Sequence, residues 1–498
     1  MRDLLESYVE SNSPVKQQID SYNRFLSTGL KKLIESQEII EPNVANFSIK
    51  LKGIRITQPI LIEADSSTRA LLPNEALQRD LTYSAPVYLS YVPLIQGIPK
   101  NSSEDEIFIG ELPIMVKSDL CYTSHMTREQ LIEEGEDPDD PGGYFIIKGT
   151  ERVLIGVEDL APNRIITTKE KNRGVVSKVF STTDTFRSKC SVVRDDYGIY
   201  TVIFPTISKG IDLILILHAL DMTNEEILNT VKDDKEVYND FILNIDISKA
   251  RDLDEDAAII ELGKLSAPNQ AKEYQQKRAI QQIDSFILPH IGIEKKDRRD
   301  KALFLIEMAK RTTLVNYGIL KQDDKDHYAN KRVKLAGDLM SDLFAYAFKF
   351  FVRDIKYHIE RMVARGRRLN FRTTINPDTL TERILSAMGT GTWPAGQTGV
   401  SQVLERVNYA STLAHLRRIK SPLVKKRQHF RARDVHGTQI GKICPSETPE
   451  GPDVGLTKYL AIMARVTVGA DKDLLLQSIN KIQSSNDTML LSTEEEEI

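Results

Sequence analysis

The sequence is poor in cysteine. Three occur in 498 residues, Cys121, Cys190 and Cys444, too few and too widely spaced for a disulfide framework or a zinc knuckle. Neither a Cys-x-x-Cys pair nor a His-Glu-x-x-His run is present, so the eight histidines give no metal signature, and no metal is assigned to the chain. Long apolar runs are missing as well. The richest, Ile211 to Leu217, falls far short of the ~18 to 20 residues of a membrane span and contains Asp212. The opening MRDLLESYVE lacks the apolar core of a signal peptide, and no internal repeat is visible. A soluble, cytoplasmic protein with no membrane contact is the expectation.

What is there is ordinary in bulk, with 41% hydrophobic and 28% charged residues. At roughly 100 to 200 residues per domain, the length predicts about three domains. The charge is unevenly placed. Between Arg406 and Lys442 stand ten Lys or Arg residues against one acid, Asp434, in a chain of net charge −4. A solvated surface needs no such excess, whereas a wall facing phosphates does, because each neutralised phosphate releases condensed counterions.

Along the chain, helical spacing runs from the start to about Ile40, through Val15, Ile19, Tyr22, Leu26, Leu30 and Leu33. From Phe47 to about Val92, short alternating runs rich in β-branched and aromatic residues predict strands. EEGEDPDDPGG, residues 133–143, reads as an exposed acidic turn ahead of the strand-like YFIIKGTERVLIGV. RIITTKE, GVVSKVFST and IYTVIFP predict further strands, and residues 224–309 are mostly helical in period. KQDDKDHYANKR, residues 321–332, breaks that pattern and marks the exit from an inserted domain. Leu335 to Ala364 predicts one long helix with apolar Leu339, Leu343, Phe344, Ala347 and Phe351. Its end carries Arg361, Arg365, Arg367, Arg368 and Arg372, which exceed what complementing a helix dipole requires. The terminal STEEEEI is a short acidic tail.

The chemistry concentrates after Gly389. GTGTWPAGQTG is glycine-rich, but neither it nor GTQIGKI meets the spacing of a phosphate-cradling Walker loop, so a tight hairpin or loop is predicted there. SQVLERVNYASTLAHLRR, residues 401–418, predicts a helix capped by Ser401, with Gln402, Glu405, Arg406 and Tyr409 on one polar face. The basic SPLVKKRQHFRARDV follows, with Phe430 as its one aromatic, so electrostatics outweigh base stacking there. CPSETPEGPDVG holds three prolines and two glycines, which restrict its backbone and hold Glu447, Glu450 or Asp453 in place. These residues alone leave open a nucleic-acid-binding module, a phosphotransferase or a part of a larger enzyme.

GTGTW, GVSQVLERVNYASTLAHLRRIKSPL, RARDVH and CPSETPEGPDVGL resemble the fork region of the second-largest subunit of multisubunit DNA-directed RNA polymerases. DSYNRFL, EDPDDPGGYFIIKGTERVLIGVEDLAPNRI and DKDHYANKR fit the same family, so the likeness spans most of the chain. It is similar to the split form found in some archaea, whose N-terminal half is a separate polypeptide. The resemblance implies an α+β multidomain architecture: a protrusion from residues 1–160 and 335–385, a lobe inserted at 161–334, a fork at 386–460, and at 461–498 the start of a domain completed by another chain.

It also implies roles. Gln402, Glu405, His415 and Arg418 match positions lining the RNA–DNA hybrid and, in bacterial relatives, the rifamycin pocket. Lys425, Arg427 and Arg433 match the basic loop and following strand beside the downstream fork and the incoming nucleotide, and Arg417 and Arg431 are counted among the residues near nucleic acid or nucleotide. Glu450 and Asp453 match a loop near the active centre, although the family usually has asparagine at 453 and an aromatic at 440, where this chain has Asp453 and Ile440. The expected partners are the separate polypeptide carrying the C-terminal half of the split subunit, the largest-subunit chains, the other polymerase subunits, DNA template, RNA and nucleoside triphosphates. Mg2+ is expected in the complex, held by an aspartate motif of the largest subunit that does not occur here.

Overall fold

The computed structural model describes residues 13–482 except 45–46, 97, 100–104, 171–172, 184–185, 206, 252, 269, 367–374, 424–429 and 470–473. Three buried apolar clusters organise it.

The first packs an antiparallel sheet against helices. Its strands are Ile39–Ile40, Phe47–Ile56, Ser84–Ile95 and Asp105–Pro113, with the short Ile98–Pro99 also on Ser84–Ile95. Ile49, Leu51, Val87, Leu89, Ile107 and Ile109 alternate onto the covered face, as a pleated strand requires. Over them lies the helix Ala336–Ala364, whose buried Leu339, Leu343, Phe344, Ala347, Phe351 and Ile355 follow the helical period. Gly337 is needed where this helix meets Lys16–Arg24, because a Cβ there would collide with the Ser21 carbonyl. Trp393 closes the cluster, its indole N–H donating to the Leu339 carbonyl at 2.8 Å.

The second cluster draws only on residues between Ile165 and Leu314. Five antiparallel strands, Ile166–Glu170, Gly174–Thr182, Arg187–Arg194, Tyr200–Phe204 and Ile207–Asp212, pair in sequence order. Helices from Leu213–Ala219 to Arg298–Asn316 cover them. A buried Arg194–Asp240 pair, at 2.7 and 3.1 Å, joins strand to helix.

The third cluster, smaller, gathers Val15, Tyr83, Ile114, Ile146, Val153, Ile155, Leu404 and Leu416. Beside it the chain leaves for the second cluster on Gly156–Leu160 and returns on Lys331–Lys334, which pair antiparallel. The other edge of Gly156–Leu160 takes Arg418–Lys420 in parallel, and Thr457–Tyr459 completes a four-stranded mixed sheet.

Three sequence expectations need correction. The opening helix runs Lys16–Arg24, a π-helical turn Phe25–Gly29 and Leu30–Glu35, and Ile39–Ile40 is a strand because it finds Ile49 and Lys50 as partners. The acidic turn is pinned rather than simply exposed: Glu136 accepts from the Asn74 N–H at 2.7 Å, and Asp140 accepts from Gly142, Tyr144 and Arg406. Burial pushes the Glu136 carboxyl above its ordinary range. Residues 401–418 do not form one helix. Ser401–Val403 is a strand paired with Arg152–Leu154, the helix is Tyr409–Leu416, and Arg418 begins the next strand. Asn408, not Ser401, caps that helix in a reciprocal box with Ser411. Ser401 is buried with its hydroxyl on the Met388 carbonyl.

Candidate nucleic-acid interface

The strand–turn–helix of residues 401–416 gathers one group of the predicted side chains. His415 is 3% exposed. Its Nδ1 accepts from the Glu405 backbone N–H at 3.1 Å, so the ring proton sits on Nε2 and donates to Gln402 Oε1, also at 3.1 Å. Gln402 returns its amide N–H to the Gly399 carbonyl at 3.1 Å. Burial first, and the neighbouring Arg418 second, push the imidazole down to about 4, which keeps it neutral. Arg418 points at the same amide oxygen, reaches Glu405 Oε2 at 3.5 Å and lies over the Tyr459 ring at 5.1 Å. Its Nε is buried with no hydrogen-bond partner.

A second group surrounds the Pro/Gly loop. Arg433, in the short helix Phe430–Arg433, donates to the carbonyls of Pro452 and Val454, both at 2.8 Å. Gly455, at φ +70°, lies against the Arg433 carbonyl where a Cβ would collide. The Thr448 hydroxyl accepts from the Gly455 N–H and donates to the Thr457 carbonyl, each at 2.9 Å. Glu450 is exposed at the loop tip and Asp453 is half-buried. The two groups are joined through the register Arg418↔Tyr459. The exposed Arg431 lines an open cleft with Asp324, Lys325 and His436.

Arg417 belongs to neither group. It turns inward and donates to the carbonyls of Pro14, Ala461, Ile462 and Ala464, at 2.7 to 3.1 Å. Burial lowers its pKa from the ordinary arginine range. Arg406 likewise leaves the basic surface, forking onto Glu151 at 2.7 and 2.9 Å. Lys425 and Arg427 lie outside the described residues. Arg417, Arg433 and Lys420 all bond to backbone carbonyls, and a neutral carbonyl fixes a cation's geometry without itself cancelling the charge.

Sequence reasoning missed the support beneath this surface. Glu158, 4% exposed, receives Lys331 Nζ at 2.7 Å, Lys458 Nζ at 3.1 Å and the Tyr328 hydroxyl at 2.9 Å. Burial raises the Glu158 carboxyl, but Lys458 and Lys331 together outweigh it and hold the pKa below the usual range. Nothing near Glu158 in sequence signals this, since one lysine is 173 residues away and the other 300. His436 Nε2 meets Asp324 at 3.0 Å, and Tyr328 N–H donates to Thr438 Oγ1 at 3.1 Å, which docks segment 324–330 on 436–438.

Chemically this surface can bind and orient anions. Among the described residues no group of three or more His, Cys, Asp or Glu side chains could hold a metal ion. Asp323 and Asp324 hold backbone N–H groups: Asp323 accepts from Thr167 N–H and Asp324 from Asp326 N–H, both at 2.8 Å.

The chain matches two protein-family models, "RNA polymerase beta subunit" over residues 13–382 and "RNA polymerase Rpb2, domain 3" over residues 402–466. It is 44% identical over 486 residues to the DNA-directed RNA polymerase subunit Rpo2N of Methanocaldococcus jannaschii, covering 96% of this chain and 97% of that one. Rpo2N of Methanococcus vannielii is 42% identical, with 98% and 99% covered. The subunit Rpo2 of Saccharolobus shibatae is 40% identical over 96% of this chain but only 42% of its own length. With an α+β fold and relatives aligned almost end to end, this chain belongs to the beta-type subunits of DNA-directed RNA polymerase, as the archaeal N-terminal half of the split subunit.

Proposed function

We propose that this polymerase subunit forms one wall of the active-centre cleft, with residues 386–460 as its fork. In this reading residues 1–160 and 335–385 make the protrusion and residues 161–334 the lobe. The observation that carries it is Arg418, aimed by the Gln402 amide oxygen and the Tyr459 ring, with Glu405 only at 3.5 Å and its buried Nε lacking an acceptor among the described residues. Such a pre-aimed cation binds phosphate without reorganising, which lowers a barrier by positioning and electrostatics.

Gln402, Glu405 and Arg418 then face the RNA–DNA hybrid, with the buried His415 behind them holding the Gln402 amide. Arg431 and Arg433 face template and incoming nucleotide, a role proposed also for Lys425 and Arg427, which lie outside the described residues, and Glu450 and Asp453 border the active centre. Arg417 acts at one remove, by tying the helix Tyr409–Leu416 to residues 461–464. Among the described residues no group of three or more His, Cys, Asp or Glu side chains could hold a metal ion; in this reading the largest subunit holds Mg2+ and this chain contributes position and charge. The C-terminal half of the split subunit covers the apolar surface of Ile462 and Met463, 91% and 67% exposed. No helix among the described residues is long and apolar enough to cross a membrane. In this reading the complex works in the cytoplasm.

The test is Arg418→Ala in reconstituted polymerase. Assembly stays intact and elongation slows by about tenfold or more, as expected for loss of one charge-assisted phosphate contact of roughly 1.5 to 3 kcal/mol. Unchanged elongation would remove Arg418 from the proposed wall.

A further inference from the structure

The helix Ala336–Ala364 buries one side in the first core and presents another outward. On the outward side Tyr346, Phe350, Arg353 and Tyr357 recur at intervals of four, three and four, which makes one continuous row on a helix. Tyr346 and Tyr357 are 43% and 57% exposed. Tyr346 meets Phe350 edge to face, with centroids 4.8 Å apart. The Arg353 guanidinium stands 4.4 Å from the Phe350 centroid, and Arg383, from the neighbouring helix Asp378–Thr390, stands 4.1 Å from it. Arg361 continues the row one turn further on.

Among the described residues no ion pair cancels the charges on this row. Neither Arg353 nor Arg383 has a carboxylate partner among the described residues, and the buried Arg383 Nε has no hydrogen-bond acceptor. Of the nearby acids, Glu360 is occupied by the Asn43 N–H at 2.8 Å and Asp342 by Lys334 at 2.7 Å. A helix face that only needs to be soluble has no use for large rings set between uncompensated guanidiniums. Rings alternating with cations suit a ligand that alternates flat apolar faces with anions, and an unpaired nucleic-acid strand is that ligand. A duplex hides its base faces, so it would use the arginines and ignore the tyrosines.

We propose that this row is a second nucleic-acid site on the subunit, for an unpaired strand, with Tyr346 and Tyr357 stacking on bases and Arg353, Arg361 and Arg383 receiving phosphates. The rings lie roughly 16 Å apart along the helix axis, enough to engage separate bases. None of its residues falls between 386 and 460.

The experiment uses the full chain with fluorescein-labelled oligothymidylate of about 20 nucleotides, a duplex of the same length, and a 5-bromouracil version for photocrosslinking. The wild-type chain is expected to crosslink at Tyr346 or Tyr357. Tyr346→Ala with Tyr357→Ala abolishes that crosslink and weakens single-strand binding by about tenfold, with duplex binding within about twofold. Tyr346→Phe with Tyr357→Phe keeps the rings and retains binding. Arg418→Ala in the fork leaves the crosslink in place, so the two sites succeed or fail separately. No crosslink at either tyrosine, or equal loss for single strand and duplex, overturns the proposal. Failure of the alanine pair to assemble into reconstituted polymerase also overturns it, since the row would then be a protein interface.

Discussion

Glu158 and Lys458 stand 300 residues apart in sequence and meet in a buried ion pair, Nζ to Oε2 at 3.1 Å, in the sheet where three stretches of the chain converge. Both are under a tenth exposed, and Lys331 and Tyr328 complete the carboxylate's shell. Lys458 flanks Tyr459, the ring beneath Arg418, so the pair holds the floor of the proposed fork from below. Removing Glu158 leaves the buried Lys458 ammonium without its carboxylate. Glu158→Gln is therefore expected to destabilise the fold by roughly 3 to 5 kcal/mol, read as a lower thermal midpoint, and Glu158→Asp to restore part of it. Glu158 has its pKa lowered, so its contribution is present above the ordinary glutamate range and lost as pH falls through the folded value.

His415 sets a second pH dependence. Its pKa drops from 6.5 to about 4 on folding, so between those values the unfolded chain binds more protons and stability rises with pH. The full chain should lose on the order of 3 kcal/mol as pH falls from 7 to below 4, on top of what its carboxylates contribute. His415→Gln should flatten this part of the stability profile measured by thermal denaturation. An unchanged slope would show that the ring is protonated in the fold.

Gly455 holds the Pro/Gly loop against Arg433 at φ +70°. Gly455→Ala meets both backbone strain and a clash with the Arg433 carbonyl, at a local cost of about 1 to 3 kcal/mol. Hydrogen exchange should rise across residues 448–457 and remain unchanged in the helix Ala336–Ala364, and elongation by reconstituted enzyme should fall.

Trp393 is the single tryptophan and is 3% exposed, hydrogen-bonded to Leu339 in the first core. Its fluorescence thus reports that core alone. Asp240→Asn, which breaks the buried Arg194 pair of the second cluster, is expected to unfold that cluster at a lower temperature by circular dichroism. The tryptophan transition should move little, because the two cores share no residues.

The helix Ala336–Ala364 was legible because 29 residues of periodic apolar spacing outweigh any local ambiguity. The segment 401–418 was not, because its three-residue strand owes its existence to Arg152–Leu154, some 250 residues earlier, and local spacing cannot register such a partner. Arg187–Arg194 was overlooked as a strand for a related reason: its charged ends obscure the buried Cys190 and Val192. Counting cations located the basic region but not the direction of each side chain. Arg406 faces two carboxylates and Arg417 four carbonyls, and only the fold distinguishes them from Arg418. The Glu158 cluster had no local signature, since its three partners come from residues 328, 331 and 458.

The central claim is that this chain supplies position and charge to a polymerase whose metal chemistry lies in other subunits. Templated RNA synthesis should be measured on the purified chain, on the reconstituted polymerase lacking it, and on the complete assembly, at equal template and nucleotide. The account predicts transcript only from the complete assembly. Robust synthesis by the chain alone, or undiminished synthesis without it, would contradict the account.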